Sequence, residues 1–504
     1  MTRPTLRLSA LAALPAVCCA LALLTGCGSG SADGNDTSPS PGGSPTGFGA
    51  PIASRSPAVG TGSKDPDDLN GDGHRDLLLP LETPGGEPQW EPSDGRLLVV
   101  YGSSHGLDPA TRSVYGRSDL GLPAAESYSG VERPEGVDAR SAASADLDGD
   151  GFADLALPII GKERATDGTY AAQRYTVYVV WGSARGPGGS GGKATPMRLP
   201  ARAAASGLDS VVRGDFDGDG RLDLAGRAVS GTTAWLLYGP FDRATGAPAR
   251  TGTLPMSGGS LYADDVDPTG EHPRVTPLLA HDGDDGEQTG STLYTAPTTG
   301  RGRELREGNA HAFGDFDGDG RRDVAVGDDG SRNDEPGAET EAPDVDGSLT
   351  VYPGDGGTPV DQELPEASRR RRGFSSPLVY VAADPDGDGR DGILVPTFDA
   401  MVLLDGIGDG GGARQVEVAR QGPARAQGKK VRAERRPARP YGAADFDGDG
   451  RDELVLTWGA DSMFGLYGED PTHWWITDGI SDRDRAVFDA TRWVKPRVYA
   501  SPTN

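Results

Sequence analysis

The chain has 504 residues, with 76 acidic side chains against 49 basic ones and a formal net charge of −27. Its 77 glycines and 40 prolines describe a loop-rich, all-β chain and argue against a helical one. The three cysteines, Cys18, Cys19 and Cys27, all lie near the N-terminus, which excludes a disulfide-stapled scaffold for the rest of the chain.

Arg3 and Arg7 precede an apolar stretch, Leu8 to Leu24, that ends in Leu24-Thr25-Gly26-Cys27. A charged start, an apolar middle and small residues before a cysteine read as a bacterial lipoprotein signal peptide over 1–26, with Cys27 as the lipidated residue. A transmembrane anchor is the competing reading, but the apolar segment is short for one. Residues 27–64 are then the lipidated cysteine and a Gly/Ser/Pro/Thr-rich tether expected to be disordered. A flexible coil of that length reaches about 30–35 Å. The expected address is the extracytoplasmic face of the cell membrane, with membrane contact through the lipid alone.

From residue 65 onward an acidic nine-residue loop recurs seven times, at starts 50 to 78 residues apart. Loop 1 carries Asp68, Asn70, Asp72 and Asp76, with His74 at position 7. Loop 2 has Asp146, Asp148, Asp150 and Asp154 around Phe152. Loop 3 has Asp215, Asp217, Asp219 and Asp223 around Arg221. Loop 4 keeps Asp265 and Asp267 but has Thr269 at position 5 and Pro273 at position 9, so it is expected to hold no metal. Loop 5 has Asp315, Asp317, Asp319 and Asp323 around Arg321. Loop 6 keeps Asp384, Asp386 and Asp388 but has Gly392 at position 9, which leaves its occupancy open. Loop 7 has Asp445, Asp447, Asp449 and Glu453 around Arg451.

Side-chain oxygens at positions 1, 3, 5 and 9, with a backbone carbonyl at position 7, make five oxygen donors, which suits Ca²⁺. The glycine at position 6 permits the sharp turn that gathers them. Loops 1, 2, 3, 5 and 7 are therefore expected to bind about five Ca²⁺, with loop 6 as a possible sixth site. An EF-hand is excluded, because position 12 is Leu79, Leu157, Gly226, Val326, Val395 or Leu456 rather than glutamate. Apolar runs follow the loops instead: Leu77-Leu78-Leu79-Pro80, Leu155-Ala156-Leu157-Pro158 and Leu454-Val455-Leu456. Proline after two of these runs argues against a helix and for strands.

A second run follows in each unit: Leu97–Gly102, Val177–Gly182, Trp235–Gly239, Thr292–Tyr294, Leu349–Tyr352, Met401–Leu404 and Met463–Tyr467. These read as buried or half-buried strands. Seven units, each with a strand, the loop, a strand, a variable connection and two further strands, predict an all-β, seven-bladed β-propeller of four-stranded antiparallel blades over 65–504. Trp474-Trp475-Ile476 and Ala486-Val487-Phe488 are the candidates to close the ring.

The Asp-x-Asp-Gly-Asp-Gly-x-x-Asp loop followed by an apolar strand resembles the FG-GAP repeat of the integrin α-subunit β-propeller. The same repeat occurs in bacterial FG-GAP or VCBS repeat proteins. The resemblance implies that each metal loop joins the first and second strands of its blade on one face. It also implies that ligands engage the opposite face, built from the second-to-third strand connections and the links between blades.

Twenty-four of the 76 acidic side chains stand at loop positions 1, 3, 5 and 9, so much of the acidity is metal chemistry. Basic residues cluster at Arg369–Arg372 and at Arg425, Lys429, Lys430, Arg432, Arg435, Arg436 and Arg439. One reading is a patch for anionic cell-wall polymers; the other is local neutralisation by the acidic insertion of blade 5, Asp328 to Asp346. Variable specificity is expected in 159–175, 327–347, 368–373 and 421–440. No nucleic-acid recognition motif accompanies the basic residues.

Three motifs are discounted. Arg213-Gly214-Asp215 spells an adhesion tripeptide, but Asp215 opens loop 3. Gly102-Ser103-Ser104-His105-Gly106 matches a nucleophile elbow, yet blade 2 has Gly182-Ser183-Ala184-Arg185-Gly186 in the same place, so the serine belongs to the repeat. The six histidines form no spaced zinc-ligand set. With no catalytic constellation, the expected function is a non-catalytic binding or adhesion module with a protein or glycan ligand. The alternative is an extracellular polysaccharide lyase or hydrolase with its site in the central funnel.

Overall fold

A computed structural model describes residues 53–494 apart from 82–94, 125–135, 138, 162–173, 190, 229–231, 257–258, 268–273, 284–287, 331–345, 369–379, 398, 409–411, 427 and 460–471. The signal peptide, Cys27, most of the tether and the Arg369–Arg372 run lie outside the described residues.

Seven antiparallel sheets follow one another along the chain, and they make an all-β, seven-bladed propeller. Blade 1 has three strands, Leu77–Leu81, Arg96–Val100 and Arg112–Tyr115. The other six have four each. In blade 2 these are Ala143–Ala145, Asp154–Ile160, Tyr175–Val180 and Thr195–Pro196. Blade 3 starts at Ser210–Gly214, blade 4 at Ser260–Ala263, blade 5 at Ala310–Gly314, blade 6 at Val381–Ala383 and blade 7 at Arg439–Ala444.

The apolar runs after each loop are second strands, and the later aromatic or β-branched runs are third strands. Register confirms the pairing, with Leu155 opposite Val180 and Leu77 opposite Val100. Pro80 and Pro158 lie inside their strands, opposite Leu97 and Val177. In blade 7 the expected third strand, Met463–Tyr467, falls outside the described residues. His473–Thr477 takes the place beside Glu453–Trp458, and Asp484–Asp489 is the fourth strand.

Each pair of neighbouring blades shares one apolar core, because both faces of every blade are apolar. Leu155 and Leu157 pack with Leu97 and Val99 between blades 1 and 2, and Leu224 and Leu237 pack with Val177 and Val179 between blades 2 and 3. Further cores lie between blades 3 and 4, 4 and 5, 5 and 6, and 6 and 7. The ring closes in the same way. Leu79, Leu81, Leu98 and Val100 of blade 1 pack against Val455, Trp474, Ile476 and Phe488 of blade 7. Tyr441 meets Trp474 edge-on at 4.9 Å and donates its hydroxyl hydrogen to the Leu78 carbonyl at 3.2 Å. Among the described residues blade 7 supplies all its own strands, and side-chain packing rather than a shared strand joins the two ends.

The segment before residue 65 also belongs to the body. Thr61 N–H donates to the Gly71 carbonyl at 2.8 Å, Ser63 N–H to Gly151 at 2.7 Å and Gly60 N–H to Ala184 at 3.1 Å. A side chain at Gly60 would lie 2.1 Å from the Asn70 carbonyl oxygen, so this close passage needs glycine.

The acidic loops all join first to second strands, except in blade 1, where no first strand precedes loop 1 among the described residues. Antiparallel order then puts the turns between third and fourth strands at the loop end, and the connections between second and third strands and between blades at the other end. First strands contact one another and so line the axis.

At the loop end an ionic network crosses that axis. Arg213 of blade 3 donates to Asp67, ahead of blade 1, at 2.7 Å, and to Ser144 of blade 2. Arg322 of blade 5 bridges Asp264 of blade 4 at 3.0 Å and Asp391 of blade 6 at 2.9 Å. Asp391 accepts the Asp315 N–H of loop 5, and Asp452 accepts the Asp384 N–H of loop 6. Burial pushes the Asp67 carboxyl up, but Arg213 and Arg75 outweigh it and hold Asp67 well below the usual carboxylate range.

Replacing Arg213 by methionine leaves Asp67 without its main partner in a confined site. The expected cost is about 2–3 kcal/mol, below that of a fully buried pair because both side chains keep some exposure. Urea unfolding in excess Ca²⁺ checks this, with the exposed Arg221→Met as control; equal midpoints for the two variants would refute it.

Candidate metal centres

The loops fold alike because their first carboxylate organises the backbone. In loop 3, Asp215 Oδ1 accepts from Gly218 N–H at 2.7 Å and Asp219 N–H at 3.1 Å, while Oδ2 accepts from Gly220 N–H at 2.9 Å. The same three contacts recur in loops 1, 2, 5, 6 and 7. Two glycines make the winding possible, at positions 4 and 6. In loop 3 these are Gly218 and Gly220, with φ of 74° and 81°, where a side chain is strained.

Position 9 ties the loop to the blade. Asp154 accepts from Leu147 N–H at 2.9 Å and from Gly182 N–H at 2.7 Å, just past the third strand. Asp76 with Gly102, Asp223 with Gly239 and Asp323 with Gly354 repeat the contact. The glycine is obligatory, since a side chain at Gly182 would stand 2.3 Å from the Ala153 carbonyl oxygen. This explains the glycine-serine of the repeat: Ser103 and Ser183 each donate to the carbonyl three residues on and so close a turn. Position 2 anchors the loop from the other side, with Leu69, Leu147, Phe216, Phe316 and Phe446 all buried.

Five loops bring three carboxylate groups within 4.8 Å of one another, and each can coordinate a divalent cation. They are Asp146, Asp148 and Asp154; Asp215, Asp217 and Asp223; Asp315, Asp317 and Asp323; Asp384, Asp386 and Asp388; and Asp445, Asp447 and Glu453. Loop 6 thus qualifies without position 9, because Asp388 at position 5 completes its group. Its Asp391 turns instead to Arg322 and loop 5.

Loop 1 is not one of these three-carboxylate groups, since Asn70 holds position 3. Its donor set nevertheless fits a cation. Asn70 is fully buried and donates through Nδ2 to Ala58 and Asp72, which leaves its Oδ1 buried with no hydrogen-bond partner. A bound cation is the partner such an oxygen lacks. Asp150, Asp219, Asp319 and Asp449, at position 5, stand beside these groups and accept the N–H at position 7, from Phe152, Arg221, Arg321 and Arg451. In loop 1 the same contact joins His74 N–H to Asp72. Most of loop 4 beyond Asp267 lies outside the described residues.

Electrostatics favour a cation. Burial, then neighbouring carboxylates, push Asp154 up to about 8 and Asp223 to about 7, against the pull of backbone N–H groups. Asp323 and Glu453 rise to about 6 and 7, and Asp76 is held well above the usual range, for the same reason.

The discounted motifs resolve structurally. Arg213 is engaged with Asp67, and both oxygens of Asp215 accept loop N–H groups, so neither end of the tripeptide is free. Two histidines do meet. His281 Nδ1 lies 3.1 Å and His311 Nε2 3.0 Å from Ser291 Oγ, with ring centroids 4.7 Å apart. Burial, and then His281, hold His311 down at about 3, so it packs as a neutral ring between blades 4 and 5.

No family model matches this chain, and no curated protein sequence does. Among solved structures it is similar to the periplasmic gluconolactonase PpgL of Pseudomonas aeruginosa, at 14% identity and a TM-score of 0.35, over 81% of this chain and 97% of that one. It is also similar to the V. cholerae biofilm matrix protein Bap1, at 11% identity and a TM-score of 0.29, over 82% and 90%. A third is an Agrocybe aegerita lectin recognising non-reducing terminal N-acetylglucosamine, at 14% identity and a TM-score of 0.32, over 84% of each. Likenesses this low carry no argument about function.

Two outcomes are expected. Asp217→Ala and Asp317→Ala should each lose one bound ion by native mass spectrometry, whereas Asp267→Ala should lose none; equal losses contradict the ranking of the loops. In metal-free protein the raised carboxyl values favour the folded state while the groups are protonated. That contribution is complete below about pH 4 and is lost as the pH rises through 6–8. Metal-stripped protein should therefore melt higher at about pH 5 than at about pH 8, with Ca²⁺ abolishing the difference; a flat metal-free profile overturns this.

Proposed function

We propose that this chain is an exported, lipid-anchored FG-GAP-type propeller whose loops bind Ca²⁺ and whose variable end serves as a non-catalytic binding or adhesion surface. The observation that carries this reading is the contrast between the two ends of the blades. At one end the same hydrogen-bond frame repeats loop after loop, as structural parts do. At the other end the connections differ in length and charge from blade to blade, as recognition loops on a rigid scaffold do.

The link between blades 6 and 7 is the most basic of these connections. It forms a short hairpin, Arg425–Ala426 with Lys429–Lys430, followed by a turn at Ala433–Arg435. Arg425, Lys429, Lys430, Arg432 and Arg435 are exposed there, while Trp458 donates its indole N–H to the Arg435 carbonyl and fixes the segment to blade 7. An anionic cell-wall polymer suits this surface. Part of the acidic insertion of blade 5 is occupied by partners in blades 4 and 5. Asp328 accepts the Gly330 and Asp346 N–H groups, and Asp346 pairs with Arg306. Ca²⁺ in place of a disulfide suits an exported body whose three cysteines all stand in the first 27 residues.

Thermal melts in Ca²⁺ and in chelator test the metal assignment. At free Ca²⁺ near 100 times Kd, each site should add about 2.7 kcal/mol, and coincident curves refute it. For the surface, reversing Arg369–Arg372, Lys429 and Lys430 to glutamate should leave the Ca²⁺ melt unchanged and weaken attachment to isolated anionic cell-wall material. Unaltered attachment removes the electrostatic patch.

A further inference from the structure

At the loop end, where the chemistry otherwise repeats, blade 2 carries a cavity of about 430 Å³. Asp150 and Phe152 of loop 2, Trp181, Ser183 and Lys193 of the turn after the third strand, and Arg243 from blade 3 line it. The Trp181 indole is fixed in place. Its N–H donates to Thr195 Oγ1 at 2.8 Å, and Thr195 in turn donates to the Arg243 carbonyl at 3.0 Å. The guanidinium of Arg243 lies 5.2 Å over the Trp181 ring while pairing with Asp148 at 2.9 Å and Asp150 at 2.8 Å. One cation thus covers the aromatic wall of the cavity and neutralises two of the carboxylates that loop 2 would offer to a metal.

The arrangement has parallels. Arg250 pairs with Asp217 of loop 3, Arg414 with Asp386 of loop 6, and Arg485 with Asp447 and Asp449 of loop 7. In each case a guanidinium stands on the position-3 carboxylate. In blade 2 the guanidinium also forms the wall of a cavity with a tryptophan and a lysine.

We infer that this cavity is a calcium-gated binding site for a carboxylated sugar, with Arg243 as the gate. The inference rests on the reading of loop 2 as a Ca²⁺ site. A dication at loop 2 takes the charge of Asp148 and Asp150 that Arg243 now satisfies, and so weakens the hold on the guanidinium. Released from the carboxylates, Arg243 can pair with a ligand carboxylate in the forked geometry that guanidinium favours. The uncovered Trp181 face offers an apolar platform for the ring, with Ser183 as hydrogen-bond partner and Lys193 as a second positive charge. The volume lies within the range of small-molecule sites.

The experiment is calorimetric titration of the calcium-loaded and metal-stripped protein with D-glucuronate, glucose and acetate. Glucuronate should bind the loaded protein at least about tenfold more tightly than glucose or acetate, and chelation should abolish the binding. Arg243→Gln, an exposed change, should weaken glucuronate about tenfold. It should also tighten Ca²⁺ at loop 2 by up to about fivefold, since the competing ion pair is gone. Lys193→Ala should weaken glucuronate alone, and Trp181→Phe should keep part of the affinity. Binding that survives chelation, equal binding of glucose, or an Arg243→Gln variant that matches the parent in both affinities overturns the inference. Native mass spectrometry of the same samples separates the two readings: no bound Ca²⁺ defeats the metal assignment, whereas bound Ca²⁺ with no glucuronate heat defeats the gated site alone.

Discussion

Gathering carboxylates into a space a few ångströms wide is the constraint on which the blades depend. Loops 1, 2, 3 and 5 each hold their first acid with three backbone N–H groups and their last with two more, so the geometry is set before any ion arrives. Backbone dipoles offset part of the repulsion and none of the net charge. What is left over, burial first and then the neighbouring carboxylates, keeps Asp154, Asp223, Asp323 and Glu453 above the usual carboxylate range. Position 9 is where that residual matters most. There one carboxylate joins the loop, the start of the second strand and the turn after the third, so neutralising it stiffens three elements together.

The ring itself is held by two kinds of contact that act at different depths. Apolar cores between neighbouring blades give attraction without direction, and among the described residues blades 1 and 7 meet through such a core with no strand in common. Near the axis the contacts are ionic and directional. Arg213 and Asp67 are 146 positions apart in the chain, and Arg322 joins three blades. Paired charges of this kind contribute less net stability than their number suggests. Their geometry does fix which blade faces which, and they tie loop to loop through the backbone N–H groups of Asp315 and Asp384.

Division of labour between the two ends follows from strand direction. Four antiparallel strands per blade put every acidic loop at one end and every inter-blade link at the other, so stabilising chemistry and variable surface are kept apart. Blade 2 departs from this division. Its fourth strand is only two residues long, and Arg243 of blade 3 fills the place beside Thr195. The borrowed residue forms one wall of the cavity beside Trp181.

Much of the fold was legible because the repeat is local. Seven acidic loops, the apolar strand after each and the following aromatic run specify blade number and strand order, since each rests on residues close together in sequence. The carboxylates at positions 1, 3, 5 and 9 were legible for the same reason. What sequence alone did not disclose are contacts between residues far apart. These include the pairing of Asp391 and Asp452 with the preceding loop, the plug through Arg213 and Arg322, and the partnership of position 9 with Gly102, Gly182, Gly239 and Gly354. Loop 6 looked deficient because Gly392 replaces an acid, yet the fold draws Asp384, Asp386 and Asp388 together and sends Asp391 to a neighbouring blade. His473–Thr477 is the third strand of blade 7, with Trp474 in the core that closes the ring and Trp475 in the core shared with blade 6. The local pattern of charge and hydrophobicity determined the blades and their metal-competent loops; only tertiary structure decided which blades touch and where a foreign guanidinium lands, because those contacts exist only once the ring has closed.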